Sequence, residues 1–187
     1  MVFVLENKLV NNRAKMIVID FILMLVLVAL DQFVKYVFIP MKGKNPIVII
    51  DKILELTYVE NRGAAFGMLK GQRIFFIFLA IIFFLFMGFL IAKLPYEKKF
   101  LKLNIAFAFI FAGAIGNTVD RIIRGYVIDF IYFKVIDFPV FNVADVYITV
   151  ATLFVVIFII FCYKEEDFNF LKKEKENRKI SKQDGRE

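Results

Sequence analysis

The chain has 187 residues, of which 60% are hydrophobic and 25 are phenylalanine, yet it carries 25 lysine and arginine residues against 18 aspartate and glutamate residues. This combination is typical of a small membrane protein rather than a soluble domain. Because the sequence contains no histidine, a Ser-His-Asp triad, a Cys-His pair and a His-ligated zinc site are excluded. The single cysteine, Cys162, cannot form an internal disulfide, and we assign it no role.

Four apolar stretches are each long enough to cross the roughly 30 Å hydrocarbon layer of a membrane. We expect a transmembrane helix from each of residues 16–38, 72–94, 100–120 and 144–163, within one membrane-embedded domain of residues 1–163. The turn KLPYEKKFLK is much denser in lysine than either long loop, so the positive-inside rule places it, with both termini, in the cytoplasm. The two long loops then face outward, and residues 164–187 form a charged cytoplasmic tail.

The first span carries two opposite charges near its outer end. Asp31 and Lys35 stand four residues apart, so they share one face of the helix. Since a charged side chain in a membrane helix is costly, each one requires a partner or a function. From the spacing alone we favour a structural ion pair, with Lys35 extending to the membrane surface.

The loop after the first span has two parts. Residues 47–61 contain a β-like alternation of side chains over residues 53–59, which predicts a short pair of β-strands on the outer surface. The sequence ENRGAAFG follows, and its glycines Gly63 and Gly67 indicate tight turns and close approach of the backbone. Asn61 is a candidate to bond to backbone or to a peptide ligand, and a local Asx turn is the alternative.

The third span ends in the sequence AGAIGNTVDRIIRG. Gly113 and Gly116 allow a neighbouring helix backbone to approach closely. Two interpretations of the polar face that follows stay open, and both could hold: Asp120 pairs with Arg124 at a buried helix end, and the face lines a cavity. The helical spacing gathers four polar side chains on that face: Asn117, Asp120, Arg121 and Arg124.

The start of the fourth span offers a carboxylate for catalysis. Two neighbouring carboxyl groups can share one proton, so that one is a base while the other is an acid, and aspartic proteases activate water in this way. Asp145 is one candidate, at the end of YVIDFIYFKVIDFPVFNVAD, in which the tetrapeptide VIDF occurs twice. Chain length allows Asp120, Asp129 or Asp137 to be its partner, and the spacing does not choose among them.

Four blocks of this sequence resemble the signal peptidase II, or lipoprotein signal peptidase, family of bacterial inner-membrane aspartic endopeptidases. The blocks are DQFVK, NRGAAF, GAIGNTVDR running into GYVIDF, and FNVAD, and they occur in order across nearly all of residues 16–163. The resemblance implies the catalytic pair Asp129 and Asp145, and it assigns no family position to Asp137. It also implies a set of residues that position this pair or contact the substrate: Asp31, Lys35, Asn61, Gly63, Gly113, Asn117, Asp120, Arg121, Asn142 and Ala144.

The resemblance carries further expectations. It implies an α-helical integral membrane protein in which four transmembrane helices support a small extracytoplasmic β-cradle and an outer helix. The implied substrate is a prolipoprotein whose cysteine already carries a diacylglyceryl group, cut just before that cysteine near the outer face of the bacterial cytoplasmic membrane. We expect a monomer that contacts membrane lipid, with no metal, cofactor or nucleic acid.

The charges fit two other interpretations. A small proton- or cation-coupled transporter would use a set of membrane charges as an ion relay, although these lie at the outer ends of the spans: Asp31, Lys35, Asp120 and Asp145. Its observable is uptake that responds to a pH gradient. A scaffold subunit is the third interpretation, and it leaves the outer carboxylates without a purpose.

Overall fold

Four α-helices and three β-strands make up the computed structural model, which describes residues 2–63, 68–95 and 97–168. In chain order they are α1 (Val2–Phe38), β1 (Ile47–Ile50), β2 (Leu54–Asn61), α2 (Arg73–Lys93), α3 (Leu101–Ile123), β3 (Val127–Phe133) and α4 (Val143–Phe161). Short 3-10 helices lie at Ile39–Met41, Lys98–Phe100, Lys134–Ile136 and Glu165–Phe168. Most of the predicted charged tail, residues 169–187, lies outside the described residues.

Each of the four helices forms a stretch that is long and apolar enough to cross a membrane, and the first stretch continues past α1 through the 3-10 helix Ile39–Met41. These stretches are Lys15–Met41, Arg73–Lys93, Leu101–Ile123 and Val143–Phe161. A helix satisfies its own backbone hydrogen bonds, which is why an apolar run in lipid takes this form. The predicted architecture of four membrane helices with a small sheet is confirmed.

Helix α3 is the centre of the bundle. The protein buries 61% of its apolar stretch, compared with 6–11% for the other three helices, and it packs against α1, α2 and α4. Small side chains permit this, since helices in lipid associate through close van der Waals packing. Ala108 and Ala112 are almost fully buried, and a Cβ atom added to Gly113 would lie 2.5 Å from the Ala144 carbonyl oxygen of α4.

Replacing Gly113 with alanine should therefore force α3 and α4 apart. We expect the free energy of unfolding to fall by about 1–3 kcal/mol, the usual cost of overpacking. Gly88→Ala in α2 is the matched control, because a Cβ atom there meets nothing within 4 Å. Thermal unfolding of both variants in detergent micelles checks this prediction, and equal stability of the two variants would contradict it.

The three strands form one antiparallel sheet in the order β1-β2-β3. Strand β2 is central: Val48 of β1 is opposite Glu55, and Asp129 of β3 is opposite Val59. The predicted pair of strands at residues 47–61 thus corresponds to β1 and β2, while β3 was not predicted. Gly125 lies between α3 and β3 with a positive φ of 82°, a conformation that suits glycine.

Packing explains why the sequence did not reveal β3. The first four residues of the strand, Val127 to Phe130, are all buried. A strand that is covered on both faces has no alternation of apolar and polar residues, and the hydrophobic period is the main signal of a strand.

Candidate active site

The sequence FNVAD begins α4 and presents Asp145 through a capping box. The Asn142 Oδ1 atom accepts a hydrogen bond from the Asp145 backbone N–H at 3.1 Å. In return, the Asp145 carboxylate accepts one from the Asn142 backbone N–H at 3.0 Å. This reciprocal pair satisfies two N–H groups at the helix start and fixes the Asp145 side chain.

A chain of amide side chains connects Asp145 to Asp129. Asn142 Nδ2 donates to Asp129 Oδ1 at 2.6 Å and to Asn117 Oδ1 at 3.1 Å. Asn117 Nδ2 donates to Asp145 Oδ1 at 2.8 Å, and Asn61 Nδ2 donates to the second Asp129 oxygen at 2.8 Å. Each carboxylate is therefore held by two N–H donors, and the two share one network.

Both carboxylates line a cleft of about 560 Å³. Asp129 is only 2% exposed, while Asp145 is half-buried. One part of the cleft wall is polar and contains Asn61, Arg121 and the two aspartates. The rest is predominantly apolar and is formed by the last residue of β3, the segment that follows it and α4: Phe133, Ile136, Phe138, Pro139, Val140, Phe141, Val146 and Val150.

Asp129 has an unusual proton affinity. Burial raises the pKa of its carboxyl to about 7, and the negative charge of Asp145 contributes in the same direction. The donors from Asn61 and Asn142 lower the pKa by less than these two effects raise it. Near neutral pH, Asp129 can therefore hold the single proton of the pair.

Lys35 is the centre of a buried charge network that contacts Asn117. Its Nζ atom lies 2.9 Å from Asp31 and 3.0 Å from Asp120, and all three side chains are fully buried. The predicted ion pair between Asp31 and Lys35 is confirmed, but the predicted extension of Lys35 to the membrane surface is wrong. Asp120 is a second carboxylate partner that keeps the lysine inside, and Lys35 also donates to Asn117 Oδ1 at 2.9 Å.

The two acids of this network hold the backbone beside the catalytic candidates. The Ala144 N–H of α4 donates to Asp31 Oδ1 at 3.0 Å, and the Ile128 N–H of β3 donates to Asp120 Oδ2 at 3.2 Å. Asp120 also forms an ion pair with Arg124, so the first interpretation of the polar face of α3 is confirmed. The second interpretation holds for Arg121, the one residue of the four on that face that lines the cleft. The network therefore fixes the residue that precedes Asp129 and the residue that precedes Asp145.

Gln32 is a residue of this network for which no role was predicted. Its Nε2 atom donates to the Gly116 carbonyl at 3.1 Å and to Asp120 Oδ1 at 3.2 Å, and its Oε1 atom accepts from Arg124 at 3.1 Å. Only its place beside Asp31 in the block DQFVK pointed to it.

Arg121 and the loop after β2 complete the polar wall. The Arg121 guanidinium lies over the Phe76 ring, 4.8 Å from its centroid, and donates to the Gly63 carbonyl at 3.4 Å. Asn61 Oδ1 accepts from the Gly63 N–H at 3.0 Å, so Asn61 makes the local turn and also bonds to Asp129. Residues 64–67 of the predicted glycine-rich loop lie outside the described residues.

The structure separates the two VIDF aspartates. Asp129 lies in the sheet and lines the cleft. Asp137 is exposed, has a positive φ of 47°, and accepts a hydrogen bond from the Tyr132 hydroxyl at 2.6 Å. Among residues 2–63, 68–95 and 97–168, no group of three or more potential metal ligands occurs.

Comparison with known proteins gives consistent results. Residues 23–161 match the family described as signal peptidase (SPase) II. The lipoprotein signal peptidase of Brevibacillus brevis is 42% identical over 67% of this chain and 84% of its own length, and that of Caldanaerobacter subterraneus subsp. tengcongensis is 44% identical over 72% and 90%. A solved bacterial membrane enzyme covers 75% of this chain and 87% of its own, with 31% identity and a TM-score of 0.65.

Proposed function

This chain belongs to the signal peptidase II family, and on that premise we propose that Asp129 and Asp145 are its catalytic pair. It is a protease of the bacterial membrane that removes signal peptides from lipoprotein precursors. The transporter interpretation finds no support in these comparisons. The observation that carries the proposal is the amide network of Asn142 and Asn117, which holds both carboxylates at one cleft.

The proposed mechanism divides acid and base roles between the two carboxyl groups. Asp145 takes a proton from a water molecule, whose oxygen attacks the scissile carbonyl carbon, while Asp129 donates its proton to the carbonyl oxygen. The C–N bond of the tetrahedral intermediate then breaks, and a proton from the pair passes to the leaving amine. The raised pKa of Asp129 supports its role as the acid.

The other predicted site residues have positioning roles in this proposal. Asn117 and Asn142 orient the two carboxylates, and Asn61 restrains Asp129 from the opposite side. Lys35 acts through Asn117. Arg121 lies in the cleft wall, where its guanidinium can donate to a substrate carbonyl.

We further propose that the substrate is a precursor with a diacylglyceryl group on its cysteine, cut just before that cysteine. A lipid-modified peptide remains in the bilayer, which delivers the scissile bond to a cleft at the ends of membrane helices. In this proposal both termini are cytoplasmic, because the lysine-rich turn between α2 and α3 favours that orientation. The cleft then lies near the outer face, and the protein acts as a monomer.

The pH dependence of cleavage tests the division of roles. We expect kcat/KM for a diacylglyceryl-modified precursor to fall as pH rises through about 7, because Asp129, whose pKa is about 7, loses the proton that it must donate. By pH 9 the rate should be lower by roughly 100-fold, as for loss of one essential proton. The apparent pKa belongs to the pair and not to Asp129 alone.

The assay uses purified protein in detergent micelles, with products identified by mass spectrometry. The same precursor without its diacylglyceryl group is the matched substrate, and it should be cleaved poorly at every pH. Circular dichroism across the pH range separates loss of activity from unfolding. A rate that stays constant from pH 6 to 9 in folded protein would contradict the assignment of Asp129 as the acid.

A further inference from the structure

The second VIDF copy forms a projecting edge of the cleft. We call residues 133–141 the outer lip. They include the 3-10 helix Lys134–Ile136 and connect β3 to α4. The resemblance gave this copy no role, and the catalytic mechanism does not use it.

The outer lip is held firmly to the sheet. The Lys134 N–H donates to the Ile53 carbonyl at 2.9 Å, and the Lys134 ammonium lies 2.6 Å from a carboxylate oxygen of Glu55 in β2. Within the lip, the Phe138 N–H donates to the Phe133 carbonyl at 3.1 Å. These bonds give the outer lip a defined conformation against the sheet.

Large apolar side chains of the outer lip are nevertheless exposed. Ile136 and Phe138 are 69% and 47% exposed, and both line the cleft. Val135 is 62% exposed but is not part of the cleft lining. Exposed apolar groups on a fixed frame, next to a reaction site, are typical of a surface that a ligand covers.

The apolar surface continues from the outer lip onto α4. Val140 and Phe141 extend it toward α4, where Val146 and Val150 complete the cleft lining. Val150 belongs to a helix that can span the membrane, and it is itself exposed. An acyl chain could thus remain in contact with apolar side chains from the bilayer up to the two aspartates.

We propose that the side chains of the outer lip that line the cleft bind the acyl chains of the substrate's diacylglyceryl group, with Ile136 and Phe138 as residues that determine specificity for them. This inference rests on the proposed function, since it takes the diacylglyceryl-modified precursor as substrate. In this arrangement the peptide contacts the polar wall, which contains Asn61 and Arg121. The exposed Ile136 and Phe138 side chains lose water when an acyl chain covers them. A longer chain also makes more van der Waals contacts with the lip, so binding depends on chain length.

The test compares two precursors of one sequence, which carry either a dipalmitoylglyceryl or a dibutyrylglyceryl group on the cysteine. We measure kcat/KM for the wild type and for Ile136→Ser, Phe138→Ser and Val135→Ser in detergent micelles. The first two variants should lose about 10-fold or more on the long-chain precursor, because the side chain removed is one that the chain covers. They should lose less than 3-fold on the short-chain precursor, and Val135→Ser should match the wild type on both.

Three results would overturn the proposal. An equal loss on both precursors would mean that the two side chains only support the cleft. A loss in Val135→Ser equal to that in Ile136→Ser would mean that the lip only contacts bulk lipid. If the wild type cleaved neither precursor, the proposed function would itself fail, and the inference would fall with it. Ile136→Leu, expected to retain long-chain activity, separates loss of apolar contact from misfolding.

Discussion

Asp145→Asn is expected to lower the rate of precursor cleavage by roughly 10²–10⁴-fold or more, the usual contribution of general acid-base catalysis. Asparagine has nearly the shape of aspartate, but its neutral amide cannot take a proton from water. The substitution also replaces one carboxylate oxygen with an N–H donor, while Asp145 receives donors on both oxygens. The measurement is the initial rate with a diacylglyceryl-modified precursor and purified protein.

The control must separate catalysis from folding. Asp51 is exposed in the turn between β1 and β2. Asp51→Asn therefore makes the same chemical change at a residue that does not line the cleft. We expect its cleavage rate to equal that of the wild type. Both variants should show wild-type helicity by circular dichroism. More than a tenth of the wild-type rate in folded Asp145→Asn would remove Asp145 from the catalytic pair.

Lys35→Met is expected to have the largest effect on stability. The substitution leaves Asp31 and Asp120 fully buried without the cation that lies 2.9 Å and 3.0 Å from them. Removing one partner of a buried ion pair costs about 3–5 kcal/mol of stability, because the remaining charge is uncompensated. We expect a loss of this size in the free energy of unfolding in micelles, accompanied by loss of cleavage as the Asn117 side chain loses its donor.

Lys42→Met is the matched control for Lys35→Met. Lys42 also contacts a carboxylate, 2.5 Å away on Glu60, but its side chain is 64% exposed. Exposed ion pairs contribute little to stability, so this variant should unfold as the wild type does. If the two lysine variants lost the same stability, burial of the network would not be the cause.

Much of the fold could be predicted from the sequence because membrane helices leave a strong signal. The predicted spans correspond to α1–α4, whose apolar stretches are long enough to be recognised by length and composition. Strand β3 gave no such signal, since its first four residues are covered on both faces. The predicted extension of the Lys35 side chain to the membrane surface was also wrong, because its second carboxylate partner, Asp120, belongs to another helix.

The candidate site required tertiary information. Spacing along the chain did not distinguish among three candidate partners for Asp145: Asp120, Asp129 and Asp137. In the structure, Asp120 pairs with Lys35 and Asp137 with the Tyr132 hydroxyl. Of the three, only Asp129 accepts a hydrogen bond from Asn142, which is connected to Asp145 through Asn117. Asp129 reaches this position because β3 pairs with β2 in a register that no local pattern specifies.

The two VIDF aspartates allow the most direct test of the catalytic pair, through the initial cleavage rates of Asp129→Asn and Asp137→Asn on one diacylglyceryl-modified precursor. Asparagine tolerates the positive φ at position 137 and still accepts a hydrogen bond from Tyr132, so Asp137→Asn should cleave as the wild type does. Asp129→Asn should be slower by roughly 10²–10⁴-fold or more. Retained cleavage in folded Asp129→Asn, with loss in Asp137→Asn, would contradict the account.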